Sequence, residues 1–164
     1  MMEEVGTARN NLETTEIDRD EQNTFLKICC TGSIYELMEV TPFIEGDRNL
    51  LHRYDRHGRQ CIHTIAWHDR ANAVMKIEIL MQSGVNINAK ELGTGNTLLH
   101  IAANTENYLL ADWFCQQIGV DLGASNNQQE TAYYIAYKIQ DRKMMKLLRA
   151  HGVAYNNTLS AGLL

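Results

Sequence analysis

The sequence predicts an all-α fold, a solenoid of about four stacked helix-turn-helix repeats connected by extended or β-hairpin fingers. The first observation is an amphipathic segment at 97–102, Thr-Leu-Leu-His-Ile-Ala, which follows Gly95. The second is that this segment recurs along the chain. His63 occupies the position equivalent to His100 in a copy 37 residues earlier, and Tyr134 occupies it in a copy 34 residues later. A period in this range is typical of stacked helical repeats, and it predicts one core shared by neighbouring units.

The residues of the central segment each suit the start of a repeat. Gly95 suits a turn that needs a positive φ. Thr97 has a hydroxyl that accepts from an unpaired amide of the first helical turn, and His100 is placed to return a hydrogen bond to Thr97. Leu99 and Ala102 lie on one helix face, where the small alanine lets a neighbouring helix approach. Because Thr-x-Leu-His-x-Ala is the core motif of the ankyrin repeat, we assign the repeats to that class.

The apolar periodicity places the other elements. The only proline, Pro42, is expected to end or kink a helix of the first repeat, and residues 49–55 are expected to form an extended loop. The predicted inner helices are 61–68, 98–104 and 132–138, and the predicted outer helices are 72–83, 108–117 and 142–150.

The repeat pattern also divides the chain into segments. The first repeat lacks the motif, as a capping repeat can, because it has no preceding neighbour to pack against. We predict a mobile acidic leader at 1–22, ankyrin repeats at 23–54, 55–90, 91–125 and 126–152, and a short tail at 153–164.

The charge is unevenly distributed. The formal net charge is −5. Residues 1–24 hold seven acids and two bases, whereas the rest of the chain holds 13 of each. We therefore do not expect nucleic acid as a partner. No apolar run is long enough to span a bilayer and no signal peptide is visible, so we expect a soluble intracellular protein that does not bind membranes.

The sequence gives little reason to expect an enzyme, a metal site or a cofactor. His63 and His100 occupy a structural slot of the repeat, and the four cysteines lack Cys-x-x-Cys spacing. Cys61 and His63 diverge on a helix, with no third group to orient a base. We expect the cysteines to be reduced core residues, with a redox role for the adjacent Cys29 and Cys30 as the alternative.

Residues 86–100 resemble the lengthened finger of the I-kappa-B family of NF-kappa-B inhibitors, and residues 131–134, Thr-Ala-Tyr-Tyr, resemble the next repeat of that family. With about four repeats, the chain is most similar to the I-kappa-B-like ankyrin proteins, or vankyrins, of polydnaviruses of the bracovirus type. The resemblance implies an inhibitor that binds host Rel homology-domain proteins (NF-kappa-B-like) and suppresses immune transcription. It also implies a location in the host cytoplasm or nucleus. We expect the free protein to be monomeric.

Two departures from the I-kappa-B pattern change that expectation. The family carries an N-terminal Asp-Ser-Gly-x-x-Ser phosphodegron followed by acceptor lysines, but here the first serine is Ser33 and the first lysine is Lys27. The family also ends in an acidic, proline-rich tail, and residues after Gly152 contain neither an acid nor a proline. We therefore expect binding without signal-dependent release.

An alternative is an ankyrin adaptor that presents another host client protein. Viral adaptors of that kind generally add a C-terminal F-box-like segment, and the 12 residues after Gly152 are too few to hold one, which favours the inhibitor.

The candidate partner-binding residues lie at the finger tips and on the inner helices, because ankyrin arrays expose these on one side. Arginine and aromatic side chains among them are the expected hot spots. The set comprises Arg56, His57, Arg59, Trp67, Glu91, Leu92, Thr94, Asn96, Gln128, Gln129 and Glu130.

Overall fold

A computed structural model describes residues 24–44 and 49–153, and within these ranges the chain forms nine helices and no strand. The leader predicted at 1–22 and nearly all of the predicted tail lie outside the described residues. In chain order the helices are α1 (24–31), α2 (Ile34–Ile44), α3 (Asn49–His52), α4 (Cys61–His68), α5 (Ala73–Gln82), α6 (Leu98–Asn104), α7 (Tyr108–Cys115), α8 (Ala132–Lys138) and α9 (Arg142–Ala150).

The helices pack in two layers. The inner layer is α4, α6 and α8, in which α6 contacts both neighbours. The outer layer is α2, α5, α7 and α9, each packed against the next. Each inner helix is also paired with the outer helix that follows it, as in α4 with α5 and α8 with α9. This is the helix-turn-helix stack that the motif spacing predicts.

The core runs through the whole stack, between the layers and between neighbouring repeats. Its most deeply buried members come from both layers, and several alanines allow the close helix spacing. They include Leu37, Ile62, Ile65, Ile77, Leu80, Leu98, Leu99, Ile101, Leu110, Phe114, Tyr133, Met144 and Leu148.

The inner helices begin at the predicted capping motif. In α6, the Thr97 amide donates to Nδ1 of His100 at 3.2 Å, and the Thr97 hydroxyl lies 2.8 Å from the same nitrogen. In α4, Gln60 takes the place of Thr97, and its amide donates to Nδ1 of His63 at 3.0 Å. These bonds satisfy amides that a helix start leaves unpaired.

Pro42 does not end its helix, because α2 continues to Ile44. A residue at this position would normally donate its amide to the carbonyl of Met38, and proline has no amide to give. The hydroxyl of Thr41 donates to that carbonyl instead, at 2.7 Å. The expectation that Pro42 ends the helix is therefore wrong, since a neighbouring side chain supplies the missing hydrogen bond; the expected kink stays a prediction.

Two further expectations are corrected. Residues 49–55 were expected to be extended, but α3 occupies Asn49–His52, with Leu51 buried. The fingers, expected to be extended or β-hairpins, are tight turns and, within the described residues, form no β-hairpin. Leu109, an apolar residue of α7, is 73% exposed. The proposed repeat boundaries stay predictions, because the helices alone do not fix where one repeat ends.

Lys76 joins the first repeat to the second. Its side chain is fully buried, and its Nζ lies 2.6 Å from Oδ2 of Asp69. The same ammonium donates to the carbonyls of Gly32 at 2.6 Å and Cys29 at 3.2 Å, at the end of α1. These carbonyls have no partner within the helix, so a lysine of the second repeat caps a helix of the first.

Candidate protein-interaction surface

Three fingers project from the stack, at 55–59, 91–96 and 126–130, and each precedes an inner helix. The first and third share one turn design. Oδ1 of Asp55 accepts the amides of His57 and Arg59 at 2.8 and 2.9 Å, and Oδ1 of Asn126 accepts those of Gln128 and Glu130 at 2.9 and 3.0 Å. Residues that bond their own downstream backbone are typical of tight turns, so these two residues set the shape of their fingers.

The second finger has one extra residue and a different organiser. The Glu91 amide donates to the Asn96 carbonyl at 2.9 Å and closes the turn. Its carboxylate accepts from the hydroxyl of Thr94 and, at 3.3 Å, from Nδ2 of Asn96. The longer glutamate therefore fills the place that Asp55 and Asn126 hold in the shorter fingers.

Backbone hydrogen bonds tie the finger tips together. The amide of Leu92 donates to the carbonyl of Gly58 at 2.9 Å, and that of Asn127 donates to the carbonyl of Thr94 at 2.9 Å. Gly95 has φ of 70°, and any side chain there would collide with Asn127. The glycine is needed for its conformation and also for the close approach of the third finger to the second.

A line of buried and half-buried polar side chains runs beneath the tips. Trp67, on α4, donates its indole N–H to Oε1 of Glu91 at 2.8 Å. Asn126 donates its Nδ2 to Oδ1 of Asn96 at 3.1 Å. Trp67, Glu91, Asn96 and Asn126 thus link the last three repeats, and satisfied polar groups of this kind fix one arrangement of the fingers.

The repeat histidines extend the same linkage. Because Nδ1 of each ring accepts a backbone amide, the neutral ring carries its proton on Nε2. From there His63 donates to the Ala89 carbonyl at 3.0 Å, and His100 donates to the Glu130 carbonyl at 2.9 Å. Burial lowers the pKa of both rings below the usual value and outweighs the stabilising effect of these bonds on the charged form. Both rings are therefore structural.

The predicted site residues are buried, half-buried or exposed. Glu91 and Asn96 are buried, so their interpretation as surface contacts is corrected: they hold the second finger in shape. Trp67 is half-buried and engaged with Glu91. The exposed members are Arg56, His57, Leu92, Thr94, Gln128 and Gln129.

Arg59 and Glu130 are partly buried, and each is held by an ion pair. Nε of Arg59 lies 3.2 Å from Oδ2 of Asp55, and Nη1 of Arg59 lies 3.2 Å from Nε2 of His68. Glu130 pairs with Lys138 of α8 at 2.5 Å. Although burial raises the pKa of Asp55, the bonds from Arg59 and His57 lower it overall, so this carboxylate is ionised and its charge is used within the finger.

A groove lies between the second and third fingers and the inner helices α6 and α8, with a volume of about 270 Å³. The sequence interpretation omitted most of its helical lining. Asn104 and Lys138 are the last residues of α6 and α8, and Ile139 follows α8; at helix ends a residue pattern does not show which side chains face the fingers. The exposed tips and this groove form the candidate surface.

The chain resembles known proteins both in its repeat and over its full length. Residues 94–124 match the ankyrin repeat family. I-kappa-B like protein F1 of Microplitis demolitor bracovirus (isolate Webb) is 91% identical over 164 residues, the full length of both chains. The chain belongs to the I-kappa-B-like ankyrin proteins of bracoviruses. Two further relatives come from the same virus. I-kappa-B like protein C1 is 54% identical over 84% of this chain and 79% of the relative's length, and I-kappa-B like protein G1 is 48% identical over 92% of this chain and 86% of the relative's length.

This membership confirms the ankyrin solenoid and the family resemblance predicted from the sequence. The I-kappa-B-like chain is a protein-interaction module of the I-kappa-B type. Among its described residues, no helix is long and apolar enough to cross a membrane.

The cysteines of the I-kappa-B-like chain are free. Burial raises the pKa of Cys29, and it raises that of Cys61 to about 12 and of Cys115 to about 11. Thiols of this kind are poor nucleophiles at neutral pH. The redox alternative for Cys29 and Cys30 therefore gains no support from Cys29.

Proposed function

We propose that this chain inhibits host Rel factors of the NF-kappa-B type by binding their Rel homology region, and so suppresses immune transcription. The observation that carries the proposal is the surface of the first two fingers. Leu92 is 62% exposed at a tip whose backbone is bonded to Gly58, beside the exposed Arg56 and His57. Arginine is enriched among the residues that contribute most to protein binding, and the exposed leucine beside it adds apolar area that a partner can bury.

The rigidity of this surface supports the proposal. The tips are bonded to one another, and the polar side chains beneath them are bonded across repeats. A surface that is ordered before binding loses little conformational entropy in the complex. The fingers therefore suit stable, stoichiometric binding, which is what an inhibitor needs.

The leader supports inhibition without release. Residues 1–26 contain neither serine nor lysine, so the phosphodegron and its acceptor lysines have no counterpart in that segment. In stimulated host cells we expect this protein to persist while endogenous I-kappa-B is degraded. Rel-driven transcription should then fall with increasing dose, because the stable competitor occupies the released factor.

The direct test is binding of the purified full-length chain to purified host Rel homology domains, measured by interferometry. We expect the Arg56→Ala/Leu92→Ala double variant to weaken binding about tenfold or more, equivalent to about 1.4 kcal/mol. The control is Leu109→Ala, because Leu109 is 73% exposed but lies on the outer helix α7. Both variants should keep the wild-type melting temperature.

Absence of association with every host Rel homology domain at micromolar concentration would remove the inhibitor proposal. The adaptor function would then take its place, and capture of clients from host lysate, identified by mass spectrometry, would be the next experiment. A finger variant that binds as tightly as wild type would show instead that Rel binding does not use Arg56 and Leu92, and equal weakening by Leu109→Ala would show that the loss is not specific to the fingers.

A further inference from the structure

The outer helix of the last repeat, α9, concentrates positive charge. Its nine residues include Arg142, Lys143, Lys146 and Arg149, all exposed, and no acid. The chain from residue 25 onward has as many acids as bases, so no excess of basic residues accounts for this density. The exposed face of the last repeat in a stack has to be polar to stay soluble. Solubility does not require that all of its charges have the same sign.

The rotation of α9 is fixed by its apolar side. Met144 and Leu148 are fully buried, which leaves the opposite side in solvent. Arg142, Lys146 and Arg149 are spaced by four and three positions, so they form one stripe along the helix. At a rise of 1.5 Å per residue the stripe is about 10 Å long.

Contacts around α9 hold some of the cations without neutralising them. Nζ of Lys143 lies 4.0 Å from the ring centre of Tyr108, and the guanidinium of Arg149 lies 5.3 Å from that of Tyr133. Neither ring carries a formal charge at neutral pH, so the positive charge remains available. The side chains of Arg142 and Lys146 have no partner among the described residues.

The acids nearest to α9 are engaged elsewhere. Oδ1 of Asp141 accepts the amide of Met144 at 3.0 Å and caps the helix. Asp112 accepts from Nε2 of His151 at 2.8 Å and from Nε2 of Gln116 at 2.9 Å. Glu106 is exposed and lines the same surface depression as Lys143, so it lies beside a cation of α9 that is not part of the stripe.

We propose that the outer face of α9 binds an acidic segment of a partner protein. The face lies on the outer layer, away from the fingers, so the proposal does not depend on Rel binding. A lipid surface fits less well, because the apolar side of α9 faces the core and nothing apolar is offered to a bilayer. Nucleic acid fits less well too, because the chain is negative overall and the cationic stripe is short.

The test uses the full-length chain and a fluorescein-labelled octaglutamate peptide, followed by fluorescence polarisation at low ionic strength. We expect Arg142→Gln/Lys146→Gln to weaken binding about tenfold, since two of the cations that would pair with the glutamates are removed. The control is Lys27→Gln/Lys90→Gln, which removes the same charge from exposed positions outside α9 and should leave the affinity within about twofold of wild type. Affinity should also fall as salt is added.

Several outcomes would overturn the proposal. Equal weakening by both double variants would mean that the peptide senses only net charge. Binding of a labelled oligonucleotide or of phosphatidylserine vesicles through α9, without binding of octaglutamate, would assign the face to another class of partner. Octaglutamate binding that appears only after Glu13, Glu16, Asp18, Asp20 and Glu21 are changed to amides would show that the chain's own acidic segment fills the face. Loss of Rel binding in the finger variants would not affect any of these results.

Discussion

Lys76 is a buried cation whose every bond reaches beyond its own helix. Its ammonium contacts the Asp69 carboxylate and the carbonyls of Gly32 and Cys29, with its side chain fully excluded from solvent. Removing one partner of such a group leaves the others unpaired, which costs more than an ordinary hydrogen bond. Lys76 therefore determines how firmly the first repeat is attached.

Lys76→Met should destabilise the chain by about 2 to 4 kcal/mol, because methionine fills the space but cannot donate to the carbonyls. Urea unfolding measures the loss. Lys27→Met is the matched control, since Lys27 is exposed, and it should change stability by less than about 0.5 kcal/mol. A Lys76→Met midpoint equal to wild type would mean that these contacts contribute nothing to stability.

At the scale of elements, the inner helices depend on neutral histidine. In the folded chain burial lowers the pKa of His63 and His100 below the unfolded value of about 6.5. The unfolded state then binds more protons over this range. The stability contributed by the two caps is complete above about pH 6.5 and is lost as the pH falls from there through the folded pKa values.

Urea midpoints should therefore be lower at pH 5.5 than at pH 7.5. His100→Gln should reduce this pH dependence while lowering stability at pH 7.5. The lowered pKa values of Asp55 and Asp69 act below about pH 4 and do not enter this interval. A midpoint that is constant or rises on acidification would contradict the cap assignment.

The sequence predicted most elements because their signals are local. The bounds of α4, α6, α8 and α9 agree with the predicted ones, and the expected pairing of Thr97 with His100 is formed. The features that the sequence could not predict are of two kinds. Some depend on partners far away along the chain, and others on a side chain that takes the place of a backbone hydrogen-bond donor. Glu91 is a residue type usually found at the surface, and its burial follows from Trp67, 24 positions away.

Contacts that a local residue pattern does not show also account for the wrong predictions in the first repeat and in the fingers. The helix does not end at Pro42, because the hydroxyl of Thr41 donates to the carbonyl that the missing proline amide would have bonded. Asn96 was interpreted as a surface residue because its partner Asn126 lies 30 positions away. The local residue pattern does not show that the third finger packs against the second. Exposure of Arg56 and Leu92 followed from their place in a turn.

At the scale of the whole molecule, stability depends on neighbouring repeats. Leu99 is only 2% exposed, in the central inner helix. Leu99→Asp places a charge in the core shared by adjacent repeats and should cost several kcal/mol, about 3 to 5, with loss of the folded stack. Leu109→Asp, on the exposed side of α7, is the control and should fold. A wild-type urea midpoint for Leu99→Asp would show that the repeat register is wrong.

Residues 1–22 should contribute little to that stability, because their sequence offers few apolar groups to a core. Removing them is expected to leave the melting temperature nearly unchanged, as measured by circular dichroism. A large decrease would mean that this segment packs on the first repeat, and its role would then need a structural explanation.

The burial of Lys76 also makes it a chemical reporter of the end of the stack. An amine-reactive reagent modifies only a deprotonated amine that it can reach, and Lys76 becomes reachable when α1 separates from α5. Exposed lysines such as Lys27 and Lys90 provide the reference rate within the same sample. If acylation of Lys76 occurs faster than global unfolding, the first repeat detaches by itself, and its rate measures how often the array shortens by one unit.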